Sequence, residues 1–485
     1  MPIAFSSSDL LTLLPILVLV LWACVLLLVD VFLPAAQKKL TPLLAALGLA
    51  VTLIFALAQA GTQREAFGGM VVVDGFAVFL YALILGSGLV TVALSHDYLK
   101  RMGLARGEYY VLMLFSISGM MLMAVAADLI VVFLALELLS IPLYVMAAFA
   151  RPQPESEEAG MKYFLLGAFA GGFVVYGIAL VYGATGATGL AQVVAAASAG
   201  LENPIYLLIG AALILVGLGF KVAAVPFHMW TPDVYQGAPT AVTAFMAVGA
   251  KAGGFAALLR VFIVAFPSLS VDITPVLWGI AAATLIVGNV VAIAQRNIKR
   301  LLAYSSISHA GFILMAFVGF GQDAARLDTV ASALFYLVAF AVASFGSWAV
   351  VIALERGEGK GLALEDYAGL GRKYPALALA MAVFMLSFTG VPPTLGFAGK
   401  FFLFRAVLEA GFVGLAVLGV LTSLVSAYYY LRIVVIMYMQ DGDPQVHREP
   451  LLDLTAAFTA IGTVVLFLFS APLFDWAAAA VLRLF

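Results

Sequence analysis

The sequence predicts an all-α, polytopic integral membrane protein with about 14 transmembrane helices. Three observations carry that prediction. Of 485 residues, 65% are hydrophobic and only 10% are charged, whereas a soluble globular chain carries about 25% charged residues. The mean hydropathy is +1.13. Apolar runs of about 20 residues, the length that crosses a bilayer as a helix, recur along the whole chain. The net charge of −2 argues against nucleic acid or another polyanion as a partner. A single cysteine, Cys24, lies in the first apolar run. It excludes internal disulfides and a cysteine-ligated iron–sulfur cluster on this chain alone, and its expected place is a small buried apolar position.

The opening residues MPIAFSSSDL lack a basic segment, and the run behind them is long enough to span. They read as the lead-in to a first helix rather than as a cleaved signal. The spans fall at 9–30, 41–60, 71–95, 109–126, 128–149, 160–182, 204–225, 239–265, 273–295, 300–320, 328–354, 374–410 (interrupted), 411–439 and 452–482. Lys38 and Lys39 separate spans 1 and 2, and Arg64 lies between 2 and 3. Lys100, Arg101 and Arg106 separate 3 from 4, and a tight turn at 126–128 joins 4 to 5. Arg151 and the charged loop 155–158 precede span 6, and the small-residue segment 183–200 follows it. Pro226, Pro232, Gly237 and Pro239 break the chain between spans 7 and 8. Arg296, Lys299 and Arg300 introduce span 10, and Arg326 precedes span 11. The charged loop 363–374 precedes span 12, which Pro392 and Pro393 split. Arg448 leads into span 14.

Basic residues orient the chain. One set of loops holds Lys38, Lys39, Lys100, Arg101, Arg106, Arg151, Arg296, Lys299, Arg300, Arg356, Lys360, Arg372, Lys373 and Arg448, and the opposite side only Arg64, Arg326 and Arg483. The positive-inside rule then places odd-numbered loops in the cytoplasm and both termini outside. That alternation closes only for an even number of spans. No strand-preceded dinucleotide fingerprint, P-loop or cysteine cluster is present. The GATGATG run at 183–189 lacks the strand–turn–helix context that would make it a nucleotide loop.

The segment 219–254, GFKVAAVPFHMWTPDVYQGAPTAVTAFMAVGAKAGG, puts Lys221, His228 and Lys251 among helix breakers in apolar surroundings. A charge at the bilayer centre is disfavoured by about 2.5–3.5 kcal/mol on insertion scales. Glu137 in span 5, Lys162 in span 6, His309 in span 10 and Lys400 after the break in span 12 extend the row. Each has a bland reading. Lys162 could snorkel to the interface, and snorkelling is the preferred reading for Arg260, Arg405 and Arg432. A lone histidine is more often a packing residue. Glu137 and Lys251 sit ten or more residues from either end of their spans, and for them the rival is a structural ion pair. Burial favours a neutral amine and can bring an ammonium group from its reference near 10.4 within reach of neutral pH, while a nearby carboxylate favours the charged form. A pair of Glu137 with Lys221 would therefore hold a proton and release it when weakened. Lys221 and His228 are seven apart and on a regular helix would share a face. Spans 4–8 and 9–13 each form a five-helix unit with an interrupted helix in fourth place, and five helices repeated in tandem invert their topology. Broken helices in corresponding places point to a polar pathway at mid-membrane.

Three segments carry a resemblance: VPFHMWTPDVYQGAPTAVTAFMAVGAKAGGFA at 225–256, QRNIKRLLAYSSISHAGFIL at 295–314 and TGVPPTLGFAGKFFLF at 389–404. Residues from about 109 to 440 resemble the antiporter-like subunits of respiratory complex I, the NADH–quinone oxidoreductase, most of all the subunit N type known in mitochondria as subunit 2. Cation/proton antiporter subunits and membrane-bound hydrogenase subunits share part of this wording and supply the alternative reading. The resemblance implies fourteen helices with two inverted five-helix repeats and interrupted helices 7 and 12. It divides the chain into 1–108 (three N-terminal helices), 109–266 (first repeat), 267–440 (second repeat) and 441–485 (a loop and the last helix). It implies a proton relay of Glu137, Lys221, Lys251 and Lys400, with Lys162, His228 and His309 as secondary members. Protons would enter from the cytoplasm near Lys221, where Pro226 and Pro232 open the way, cross by Lys251 and His309, and leave by Lys400. No cofactor or metal is expected on this chain. NADH, FMN, iron–sulfur clusters and quinone belong to other subunits of the complex. The implied partners are neighbouring antiporter-like and small membrane-arm subunits and the lipid bilayer. The implied location is the bacterial inner membrane, with both termini on the outer side.

Overall fold

The computed structural model describes residues 7–320 and 326–480. The opening residues 1–6, Arg483 and the end of the fourteenth span lie outside them. All fourteen spans are present as helices or helix pairs, and among the described residues twelve helices are long and apolar enough to cross a membrane. The two that fall short do so for physical reasons. Span 10, Ile298–Phe317, carries Lys299, Arg300, four polar hydroxyl groups and His309. Span 12 is divided into Pro375–Thr389 and Leu395–Glu409, each too short alone.

Three breaks shape the interior. Span 7 (Pro204–Val222) stops before Pro226, because Ala223 turns left-handed at φ 62. The amide of Ala224 caps the Gly219 carbonyl at 2.8 Å, and that of Val225 bonds Thr284 Oγ1 at 2.9 Å, pinning the break to span 9. A second piece, Trp230–Gly237, resumes the helix. In span 12, Gly390 turns left-handed at φ 87. A Cβ there would lie 2.8 Å from Lys400 Cδ, so glycine is needed both for the turn and for the passage of the lysine. Span 8, Thr240–Ala265, is continuous but contains a π turn at Met246–Ala250, immediately before Lys251. Such bulges re-aim side chains and gather at functional sites. Every residue of this helix is buried, so it forms the axis of the molecule.

Outer spans show large apolar residues to their surroundings, among them Leu28 and Phe32 on span 1, Ile54 on span 2, Leu424 on span 13 and Phe458 on span 14. This is the surface a lipid-embedded or partner-covered chain requires. Cys24 also lies exposed on this face of span 1, not buried as its small size suggests. The third span begins later than its hydropathy implies. Val71–Val73 pairs as a strand with Arg64–Ala66, and Asp74 caps the helix Gly75–Arg101 by accepting from the Ala77 amide at 2.9 Å. The last span is divided into Pro450–Leu468 and Ser470–Ala479. Loops rich in basic residues contact one another: Arg101 reaches Glu449 and the Ile352 carbonyl, Arg372 reaches Asp441, and Lys373 reaches Asp443.

Two of the three arginines expected to snorkel do something else. Arg260 is 1% exposed and meets Asp74 through two bonds of 3.0 and 2.8 Å, with a third to the Ala124 carbonyl at 2.8 Å. A planar guanidinium fits a carboxylate in this way, and the pair ties span 8 to span 3. Arg432 donates to the carbonyls of Ile293 and Gln295 at the end of span 9. Arg405 is partly exposed near Asp328 and Glu409, as an interfacial cation should be.

Candidate functional site

A cavity of about 650 Å³ opens on the face that carries the basic loops. Its mouth is held by Asp233, on the helix piece after the first break. Asp233 Oδ2 accepts from Lys162 of span 6 at 2.7 Å, and Oδ1 accepts from Arg300 of span 10 at 2.7 Å. Burial works against the charged carboxylate, but the bonds from Lys162 and Arg300 outweigh it and hold Asp233 below the usual carboxylate range. Lys162 also meets Glu158 at 2.6 Å. It is thus an anchored residue at the cavity mouth. Deeper on the same wall are two buried residues, Lys299, which donates to the Ala238 carbonyl at 2.7 Å, and Glu355.

Beyond this vestibule lie three buried lysines, Lys221, Lys251 and Lys400, each no more than 4% exposed. Their surroundings repeat. Lys221 Nζ donates to Ser140 Oγ at 2.7 Å and to the Tyr163 hydroxyl at 3.2 Å, with the Tyr163 ring 5.3 Å away. Lys251 Nζ donates to the carbonyl and to Oγ of Ser306, both at 2.5 Å, beside the Phe340 ring at 5.9 Å. Lys400 Nζ donates to Ser423 Oγ at 2.6 Å and to the Thr389 carbonyl at 2.9 Å, over the Phe312 ring at 4.6 Å. Among the described residues, none of the three has a carboxylate within 4 Å, the limit for an ion pair. A serine hydroxyl accepts from an ammonium group and donates to a neutral amine, so each nitrogen keeps a partner in either protonation state. The aromatic face favours the cation and excludes water. Ser140, Ser306 and Ser423 were not legible as functional: single serines carry no spacing, and only the lysines they touch mark them.

The expected ion pair between Glu137 and Lys221 is not made. Glu137 is half-buried on span 5, one helical turn before Ser140, whose hydroxyl Lys221 bonds instead. His228 does not share a helix face with Lys221, because the helix ends at Val222 and His228 lies in the turn beyond. Its side chain bonds none of the lysines. Lys221 instead leans on the axis: a Cβ at Gly254 would lie 3.2 Å from Lys221 Cγ, three residues from Lys251. His309 is buried between the central and terminal lysines. Its Nδ1 and Nε2 bond the hydroxyls of Tyr336 and Tyr430 at 2.7 and 3.1 Å. The structure thus brings Lys221, Lys251, His309 and Lys400 into one interior band. It leaves Lys162 at the mouth, His228 at the break and Glu137 on the flank. A second cavity of about 330 Å³ reaches Lys400 between spans 12 and 13. Among the described residues, no three His, Cys, Asp or Glu side chains cluster as a metal site. The chemistry this band can support is proton exchange.

Comparison with known proteins is consistent with that chemistry. Residues 126–426 match the family described as NADH:quinone oxidoreductase/Mrp antiporter, transmembrane. A NADH-quinone oxidoreductase subunit N of Chloroflexus aggregans is 48% identical over 96% of both chains. That of Trichlorobacter lovleyi is 47% identical over 91% of this chain and 90% of its own. Among solved structures, a chain of respiratory complex I from Thermus thermophilus superposes with a TM-score of 0.83 at 37% identity, covering 96% of this chain and 99% of its own. A chain of the Mrp complex from Dietzia sp. DQ12-45-1b superposes with a TM-score of 0.85 over 98% and 97% of the two chains. At 22% identity it shares the fold.

Proposed function

This chain belongs to the NADH:quinone oxidoreductase/Mrp antiporter membrane family, among its subunit N members, and on that premise we propose that it is a proton-translocating membrane subunit of an NADH-quinone oxidoreductase. Its own work is vectorial proton transfer. NADH oxidation and quinone reduction, with FMN and iron–sulfur clusters, take place in partner subunits. The observation that carries the reading is the threefold recurrence of a buried lysine held by a serine and an aromatic ring, with no carboxylate to fix its charge.

Protons collect in the vestibule lined by Asp233, Lys299 and Glu355 and pass to Lys221 at the first break, with Glu137 biasing its charge from the flank. Contact of Lys221 with the axial helix at Gly254 leads to Lys251, then to His309, and out by Lys400 beside the second cavity. Lys162 acts at the mouth through Asp233, and His228 lines the opened turn. Segments 109–266 and 267–440 serve as two inverted channel units, flanked by 1–108 and 441–485. The partners are the adjoining antiporter-like and small membrane-arm subunits, in a bacterial inner membrane, with both termini on the outer side.

The test is Lys221→Met and, separately, Lys400→Met in the assembled complex reconstituted in liposomes. Loss of NADH-driven proton uptake, with the complex still assembled, is expected. Full uptake in both variants would reduce the lysines to structural ties. Sodium–proton exchange by the isolated chain would assign it to the antiporters instead.

A further inference from the structure

We propose that Tyr430 and Tyr336 are relay residues that carry the proton through His309 by exchanging its two neutral ring tautomers. The proposal rests on the lysine relay above and names how the proton crosses its narrowest part. Both nitrogens of His309 are engaged by phenol hydroxyls, Nε2 with Tyr430 at 3.1 Å and Nδ1 with Tyr336 at 2.7 Å. A neutral imidazole has one N–H and one lone pair, so one tyrosine donates to the ring while the other accepts from it. The same positions satisfy the opposite tautomer with the hydroxyl roles reversed.

Each end of the wire lies one residue from a lysine or from the serine that holds one. Tyr430 shares a hydrogen with Ser305 at 2.5 Å, and the next residue, Ser306, holds Lys251. Tyr336 packs against Gly399, where a Cβ would lie 2.8 Å from its ring, and the next residue is Lys400. Around the imidazole stand Phe340, Phe388 and Phe312, with ring centroids 4.9, 5.1 and 6.2 Å away. These rings deny the buried histidine a water partner, so a charged imidazolium would stand without solvent. A step that leaves the ring neutral meets this condition. Tyr430 passes its hydroxyl hydrogen to Nε2 and takes another from Ser305 Oγ, which regains its own from the proton entering on the Lys251 side. In the same step the Nδ1 hydrogen moves to the Tyr336 oxygen, whose own hydrogen passes on toward Lys400. One proton enters and one leaves, and the ring ends as the other tautomer. Rotation of the hydroxyls and the ring resets the wire.

The experiment uses the complete complex in liposomes, comparing Tyr336→Phe and Tyr430→Phe with Lys251→Met. Each phenylalanine keeps the ring packing and removes only the hydroxyl. NADH-driven proton uptake is expected to fall about tenfold or more in each, at the low end of what a positioned proton-transfer group contributes. NADH oxidation by an artificial acceptor is expected to stay unchanged. Uptake at the parental rate in either phenylalanine variant, with Lys251→Met inactive, overturns the wire and leaves the lysine relay standing. Uptake at the parental rate in Lys251→Met as well removes the relay itself. If a phenylalanine variant does not assemble, 3-fluorotyrosine at the same position keeps shape and hydroxyl while making the phenol more acidic. A changed solvent-deuterium isotope effect on uptake is then expected, and an unchanged one overturns the proposal.

Discussion

The two broken helices solve one electrostatic problem from opposite directions. In span 7 the lysine comes before the break, in the last turn of Pro204–Val222. In span 12 it comes after, in the first turns of Leu395–Glu409. Lys400 would then face the positive end of its own half-helix, an unfavourable place for an ammonium group. It reaches back instead to the Thr389 carbonyl at 2.9 Å, the exposed C-terminal end of the preceding half-helix. Lys221 thus springs from the last turn of a half-helix and Lys400 donates to the last turn of one, although the chain delivers them from different sides. Helix C-termini at mid-membrane breaks are suited to holding small cations and protons. What differs is access: Lys221 lies under a vestibule ringed with ion pairs, whereas the cavity at Lys400 is walled by Phe397, Phe401, Phe404, Val420 and Leu424.

The sharpest way to break this picture is to exchange the rules of the two kinds of buried cation. Arg260 is permanently charged and paired with Asp74 inside the protein, whereas Lys221, Lys251 and Lys400 make no ion pair among the described residues. Arg260→Met takes the guanidinium away from the buried Asp74 carboxylate and is expected to destabilise the protein by about 3–5 kcal/mol. Lys251→Met leaves no orphan charge, so its melting temperature should stay at or above that of the parent while proton uptake is lost. Thermal unfolding of the purified chain in detergent measures both. Similar losses of stability would show that Lys251 is a structural tie like Arg260.

The breaks themselves offer the next comparison. Gly390 has φ 87, and an added Cβ meets Lys400, so Gly390→Ala should destabilise by about 1–3 kcal/mol and displace the lysine. Ala223 already bears the left-handed strain at φ 62. Ala223→Gly should relieve it and be neutral or stabilising by up to about 1 kcal/mol. Opposite signs in a melting experiment support equivalent breaks of unequal strain. Equal signs would mean that one of the turns is not needed.

These residues also show what could be seen in advance. Twelve of the fourteen spans were legible because hydropathy over about 20 residues is a strong signal, whereas spans 10 and 12 were read despite the polar residues and the break that weaken it. Lys221, Lys251 and Lys400 stood out because charge in lipid is rare. The lines that failed depended on exact local backbone. The Lys221–His228 face required the helix to run on to Pro226, but a single left-handed alanine ended it at Val222. The π turn before Lys251 leaves no trace in an apolar sequence, yet it decides where the lysine points. Asp233 passed unnoticed among loop residues because its role is set by Lys162 and Arg300, 71 and 67 positions away. Long-range partners of this kind are invisible to local pattern.

The serines sharpen the comparison on a finer scale. Ser140→Ala removes the hydroxyl that Lys221 bonds, and Ser423→Ala removes both the partner of Lys400 and its own bond to the Thr389 carbonyl, a change of about 0.5–1.5 kcal/mol per bond with the amine neutral and about 1.5–3 kcal/mol with it charged. Proton uptake is expected to slow by several-fold in each, because the lysine loses the partner that stays bonded in both protonation states. If Ser423→Ala has no effect while Ser140→Ala does, the Thr389 carbonyl suffices at the second break and the two lysines are held by different means.

The smallest effect expected belongs to the vestibule, and its sign follows from Asp233. The folded carboxylate titrates below its unfolded value because Lys162 and Arg300 bind its charged form. Its contribution to stability is therefore complete above the unfolded value of about 3.9, and is lost as the pH falls through the lower folded value. The side chain is 37% exposed, so the contribution is that of a screened surface pair, about 0–1 kcal/mol. Asp233→Asn should flatten the acid limb of a stability–pH curve only slightly, and less at high salt. A larger loss would mean that Asp233, which joins span 6 to span 10, clamps these two spans together rather than merely lining the cavity.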